Sequence, residues 1–151
     1  MTRPLARLWP YAVALALVLA PLAFVHPARV EGRSMEPALQ DGQLVWVLRA
    51  WAAGAPRRGQ IWLAAGPEGT TVKRVVGLPG ETLAEVDGEL WFPDRRLEEP
   101  YASAQEHGSG GPWRCGPGQF LLLGDNRPES RDGRAWGPLD RARLEGRVLG
   151  R

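Results

Sequence analysis

The basic residues comprise 18 arginines and a single lysine, Lys73. Arginine stays protonated at any pH a protein meets, whereas a lysine amine loses its proton when it is desolvated. An enclosed Lys73 would be a general base at neutral pH, because burial disfavours the charged amine by up to roughly 3–5 pK units. The competing reading is arginine-rich codon usage that left one lysine by chance, with its head in water like an ordinary strand lysine. Ser34 lies in Gly32-Arg33-Ser34-Met35-Glu36-Pro37, where Gly32 permits unusual backbone angles and Pro37 fixes the following turn. Its hydroxyl is therefore on a constrained loop, although a serine there is also an ordinary cap or turn residue. A third segment, 124–134, is too polar and Gly-rich to be core. Within it Asp132 and Arg134 can form a charge-assisted pair that fixes the turn, and a merely solvated turn has the same composition.

Other chemistries are excluded by what is missing. No G-x-S-x-G, G-x-x-x-x-G-K-S/T or H-E-x-x-H occurs. Cys115 is the sole cysteine, and with only His26 and His107 beside it there is neither a disulfide nor a cluster at zinc spacing. His26 at the edge of an apolar run and His107 beside a Gly-rich stretch are poorly placed as bases. The net charge of +2 and the lack of a polybasic run argue against a nucleic-acid partner. With 151 residues, 44% apolar and 24% charged, the chain fits one modest domain with a buried core.

Two kinds of element must position these residues. Residues 8–25 form a run of 18 without a charge. As a helix they would span about 27 Å, close to the hydrocarbon thickness of about 30 Å. Trp9 and Tyr11 suit an interfacial position, Pro10 fits a first turn, and Pro21 would kink the last one. The run reads as a membrane anchor. Its rival is a cleavable secretory signal, with Arg3 and Arg7 ahead of it and Ala14, Ala16 and Ala20 at plausible cut positions. Arg3 and Arg7 against Arg29 and Arg33 tilt the orientation only weakly towards an inside N-terminus.

After the anchor, taken as residues 1–28, the segment 29–151 reads as a β domain of short apolar runs punctuated by Gly and Pro. The predicted strands are 44–48, 61–64, 70–76, 83–86, 89–92 and 120–123, with Asp87-Gly88 as a hairpin turn. Alternation in 71–76 puts Thr71, Lys73 and Val75 on one face and Val72, Arg74 and Val76 on the other. Residues 107–112 are too Gly-rich for a regular element and are expected to form a mobile surface loop.

Taken together, these segments resemble the type I signal peptidase family of membrane-anchored Ser/Lys endopeptidases. Ser34-Met35-Glu36-Pro37-Ala38-Leu39 is similar to its S-M-x-P-T-L box, followed by Asp41-Gly42 and Leu44-Val45-Trp46-Val47. Lys73-Arg74-Val75-Val76-Gly77-Leu78-Pro79-Gly80-Glu81 is similar to K-R-V-x-G-x-P-G-D/E, and 124–134 to G-D-N-R-x-x-S-x-D-S-R. The ordered set covers most of residues 8 to 139. The resemblance implies a mainly β fold of coiled antiparallel sheets with a barrel-like core. The span 82–119 leaves room for only a hairpin and a loop where larger relatives insert a second β subdomain.

It further implies that Ser34 is the nucleophile, Lys73 the neutral base, and Ser130 the hydroxyl that orients the lysine amine. Asp132 and Arg134 would hold the last loop against the lysine strand. The Ser34 N–H would be one oxyanion donor, and Met35 would pack beside the site. Gly32 stands where some relatives carry a serine that is the second oxyanion donor, which leaves that donor open. Ala38 replaces Thr in the first box and Gly133 replaces Ser in the last. The implied activity is removal of signal peptides from exported preproteins, after small residues in an A-x-A pattern. It would act as a monomer at the lipid bilayer, single-pass, with the catalytic domain on the extracytoplasmic side and no metal or cofactor. The rivals are a conjugation-type peptidase of the same superfamily, a self-cleaving repressor, and a catalytically silent membrane-anchored domain that binds extended peptides.

Overall fold

The computed structural model describes residues 9–103 and 108–150. Helix α1, Trp9–Phe24, takes up the apolar run, and its 16 residues give about 24 Å of length. Among the described residues no helix is long and apolar enough to cross a membrane. The predicted helix over 8–25 is thus shorter than read, because Val25 leaves it to begin a strand. Leu8, Arg3 and Arg7 lie outside the described residues.

Strand β1, Val25–Arg29, pairs antiparallel with β2, Leu44–Arg49, in the register Val25 to Leu48. The sheet therefore starts inside the segment read as anchor, and the boundary drawn after residue 28 falls within β1. Five further strands complete the larger sheet: β3 (Ile61–Gly66), β4 (Gly69–Gly77), β8 (Gln119–Leu123), β9 (Leu139–Asp140) and β10 (Leu144–Val148). The order across it is β1-β2-β10-β3-β4-β8-β9. A second sheet, in the order β6-β5-β7, is built from β5 (Thr82–Val86), β6 (Glu89–Trp91) and β7 (Gly110–Arg114). The helical segments α2 (Ala50–Ala53) and α3 (Gly133–Trp136) are single turns. All six predicted strands are present, with bounds shifted by at most a residue or two. Asp87 and Gly88 both have positive φ, 51° and 79°, as the tight hairpin turn between β5 and β6 requires.

Three strands escaped the sequence reading besides β1. β7 occupies part of the stretch expected to be a mobile loop. It forms because β5 offers an open edge, and Pro112 is tolerated there because β7 is itself an outer strand. Strand β10 alternates buried Leu144, Gly146 and Val148 with Glu145 and Arg147, a short charged pattern easily taken for a loop. β9 is only two residues long.

The period of two divides the apolar side chains among three clusters. Ile61 and Leu63 of β3 join Val30, Met35, Leu39, Val45, Val47, Val72 and Val148, while Trp62 and Ala64 join Val75, Phe120, Leu122, Leu139 and Leu144. Leu121 and Leu123 of β8 join Val76, Leu83, Leu90, Phe92 and Cys115. Strand β4 contributes one valine to each cluster, so it is walled on both faces. That position carries Lys73 and Arg74 out of water, to 3% and 8% exposure.

Candidate active site

The loop between β1 and β2 carries Ser34. Backbone bonds from Val30 N to Gln43 O and from Gly42 N to Val30 O, both 2.9 Å, close its base. Inside it Glu36 N donates to Arg33 O at 3.1 Å and Leu39 N to Met35 O at 2.9 Å, winding residues 33–39 into tight turns. Met35 and Leu39 drop into the first core cluster at 1% and 0% exposure. They act as plugs that fix the turn, and Ser34 beside Met35 is left partly accessible. Met35, next in sequence to Ser34, is therefore a core residue.

Strand β4 brings Lys73 to this turn across 39 residues of sequence. Lys73 Nζ donates to Ser34 Oγ at 2.6 Å. Burial holds the lysine amine below its ordinary pKa of 10.5, because the charged form loses its hydration. The carboxylates of Asp132 and Asp125 pull the other way, more weakly than burial pushes. One of these acids is already matched. Arg74 gives Asp125 two bonds, Nε to Oδ1 at 2.8 Å and Nη2 to Oδ2 at 2.5 Å, and a third to Gly59 O at 2.6 Å. The Tyr101 ring lies 4.2 Å from the Arg74 guanidinium carbon and covers that group.

The loop after β8 completes the arrangement. Asp132 caps α3 by accepting from Arg134 N at 3.1 Å, and its other oxygen accepts from Gly124 N at 2.9 Å. Arg134 returns to Asp132 through Nε at 3.0 Å and donates to the carbonyls of Arg127 and Ser130. The expected Asp132–Arg134 pair is therefore formed, and it stitches the loop to itself. The tie to the lysine strand is made by Asp125 and Arg74, which the sequence reading had not singled out. A third pair, Arg127 with Glu99 at 2.6 Å, is almost wholly buried, and Tyr101 Oη donates to the same Glu99 oxygen at 3.0 Å.

One expectation meets a different geometry. Ser130 Oγ is buried and has no hydrogen-bond partner among the described residues, so the expected bond to Lys73 is not made here. It lies close by, since a Cβ placed on Gly124 would come within 2.2 Å of Ser130 Oγ and 2.6 Å of Ser34 O. Gly32 has φ +80°, which explains the glycine, and its N–H is engaged by Asp41 Oδ1 at 2.8 Å. His107 lies outside the described residues, and among those described the His26 ring bonds only to the Pro27 carbonyl. Among the described residues no group of His, Cys, Asp and Glu has the spacing of a metal site.

An antiparallel β scaffold that sets a serine hydroxyl against a desolvated lysine amine fits a peptidase. The profile of the family described as signal peptidase, peptidase S26, matches residues 4–151. The chain is 36% identical to signal peptidase I of Bacillus licheniformis, over 91% of this chain and 83% of that one. It is 28% identical to signal peptidase IB of Staphylococcus aureus strain N315, over 93% and 85% of the two chains. The crystal structure of a signal peptidase I from Enterococcus faecalis V583 superposes with a TM-score of 0.53 at 30% identity, covering 64% of this chain and 98% of that one. The chain belongs to the signal peptidase family, peptidase S26.

Proposed function

We propose that this peptidase removes the signal peptides of exported preproteins through Ser34 and Lys73. Neutral Lys73 Nζ takes the proton of Ser34 Oγ as that oxygen attacks the scissile carbonyl. The lysine then gives the proton to the leaving amine, and the acyl-serine is hydrolysed by a water that Lys73 deprotonates in turn. The Ser34 N–H stabilises the oxyanion, a contribution whose removal typically lowers rate about 10²–10³-fold. The observation that carries this reading is the 2.6 Å contact between Nζ and Oγ at a lysine that is 3% exposed.

The substrate side follows from the sheet. β3 pairs with β4 from Gly69 to Arg74, whereas β8 pairs with it only from Arg74 onwards. The second edge of β4 before Arg74 is thus unpaired among the described strands, and it runs up to Lys73. An extended peptide can add to such an edge as a strand. A cavity of about 200 Å³ lined by Ala28, Arg29, Glu31, Leu63, Thr70 and Val72 lies alongside. In a bound strand the first and third residues before the cut point to the same face, so both alanines of an Ala-x-Ala site would lie on one side of the added strand.

The bilayer reading rests on exposed apolar side chains. Leu44 and Trp46 project from β2 at 63% and 49% exposure, and Trp51 meets Phe24 in a tilted pair with ring centroids 4.9 Å apart. With the uncharged run of α1, they support a β domain held at the membrane by its N-terminal segment, which we read as single-pass with the β domain on the extracytoplasmic side. Tethering there raises the effective concentration of substrates whose own apolar segments lie in the bilayer. The test is cleavage of a model preprotein with an Ala-x-Ala site by the membrane-embedded protein. Wild type should cut after the second alanine, and Ser34→Ala and Lys73→Arg should not. Cleavage by either variant at the wild-type rate refutes the dyad.

A further inference from the structure

Asn126 meets the peptide units on both sides of Ser34. Its backbone N–H donates to Ser34 O at 3.0 Å, and its side-chain Nδ2 donates to Arg33 O at 3.1 Å. Ser103 is anchored beside it, its backbone N–H and hydroxyl bonded to Asp125 O at 2.9 and 3.1 Å, with its Oγ 3.5 Å from Asn126 Oδ1.

The consequence comes from peptide geometry. Arg33 C=O and Ser34 N–H belong to one planar trans unit and point in opposite directions. Holding Arg33 O towards Asn126 therefore aims Ser34 N–H away from the loop. Arg33 O also accepts from Glu36 N at 3.1 Å, but that bond lies within the turn and moves with it. The bond from Asn126 comes from another segment and sets the turn's orientation relative to the lysine sheet. Its neighbour Asp125 grips Arg74, next to Lys73. One dipeptide thus holds the strand of the base and the backbone of the nucleophile.

We propose that the Asn126 side chain is a positioning residue for the oxyanion donor, fixing the Arg33–Ser34 peptide plane so that Ser34 N–H faces the developing oxyanion. This matters more because Gly32 N–H, the nearby backbone donor, is already engaged by Asp41. The proposal rests on Ser34 being the nucleophile. A Ser34→Ala control separates the two: cleavage by that variant would remove the nucleophile itself, whatever Asn126 does.

The experiment compares wild type, Asn126→Ala and Asn126→Asp in detergent. The aspartate is nearly isosteric and cannot donate, while both variants keep the backbone N–H bond to Ser34 O. We measure kcat and KM on an Ala-x-Ala peptide, affinity for an uncleavable peptide with proline after the cut site, and affinity for the corresponding peptide aldehyde. The aldehyde adds to the serine and places an oxyanion where the donor acts. Both variants should lose kcat on the order of 10–10²-fold and aldehyde affinity in parallel, with KM, uncleavable-peptide affinity and Tm unchanged. Wild-type kcat in both variants overturns the proposal. So does an equal loss of affinity for the aldehyde and the uncleavable peptide, which marks a collapsed site. If one variant does not fold, the other decides. If neither folds, the side chain is a structural strut and the proposal fails.

Discussion

Asp125 grips Arg74 with both carboxylate oxygens, at 2.8 and 2.5 Å, in a pair whose side chains are 1% and 10% exposed. The pair joins the last loop to the strand of Lys73, and the Arg74 charge sits against an acid that pulls the lysine pKa upward. Breaking a desolvated pair by removing one partner strands the other charge, at a cost of about 3–5 kcal/mol, whereas replacing both with apolar groups is often neutral. Asp125→Asn should therefore lower the unfolding free energy in urea by about 3–5 kcal/mol. Arg74→Met with Asp125→Leu should recover most of it. A loss below about 1 kcal/mol in the single variant would mean the pair is effectively solvated.

Lys73 gives a stability prediction whose sign follows from its depressed pKa. Between the folded-state value and 10.5 the unfolded chain holds a proton that the folded chain does not. Stability then rises with pH across that window and falls as the medium becomes more acid. Lys73→Met should abolish cleavage yet raise Tm at neutral pH, and the difference should shrink as pH approaches 10.5. The acid limb of wild-type kcat/KM should also lie below 10.5, because only the neutral amine accepts the serine proton. Parallel stability curves for the two proteins would show that the amine is charged in the fold.

Both residues also show how far the sequence could be read. Lys73 stood out as the single lysine, and alternation on β4 was legible from its apolar run. Its burial was not, because that depends on three clusters closing around one strand. Ser34, Asp132 and Arg134 were found as members of ordered motifs. Asp125 and Asn126 lay in the same motif, but their partners Arg74, Ser34 and Arg33 are 51 to 93 residues away, and no local spacing reveals such pairings. β1 was hidden at the end of an apolar run, since an uncharged stretch does not reveal where helix gives way to strand. β7 was hidden by its glycines, because an outer strand needs only a neighbour's free edge.

Gly124 is required by contact rather than by backbone angle. A Cβ there would come within 2.2 Å of Ser130 Oγ and 2.6 Å of Ser34 O, and the latter is backbone that cannot swing aside. Gly124→Ala should push the nucleophile turn away from the last loop and lower kcat by about 10²-fold, the effect expected of a displacement near 1 Å. Far-UV circular dichroism should be unchanged, since β8 ends before this residue. Full activity in the variant would mean that the turn and loop have room to separate without consequence.

Cys115 is a packing residue, and its chemistry should follow from that. It is 3% exposed in the cluster with Val76, Leu83 and Leu121, and its Sγ would lie 2.9 Å from a Cβ added at Gly77. Burial pushes its thiol pKa up to about 11, so little thiolate exists at neutral pH. Iodoacetamide should leave the folded protein unmodified and label it stoichiometrically in denaturant. Cys115→Ala should keep wild-type kcat while destabilising the domain by about 1–2 kcal/mol through the cavity it leaves. Rapid labelling of the folded protein would show that the second sheet opens far more readily than its buried contacts imply.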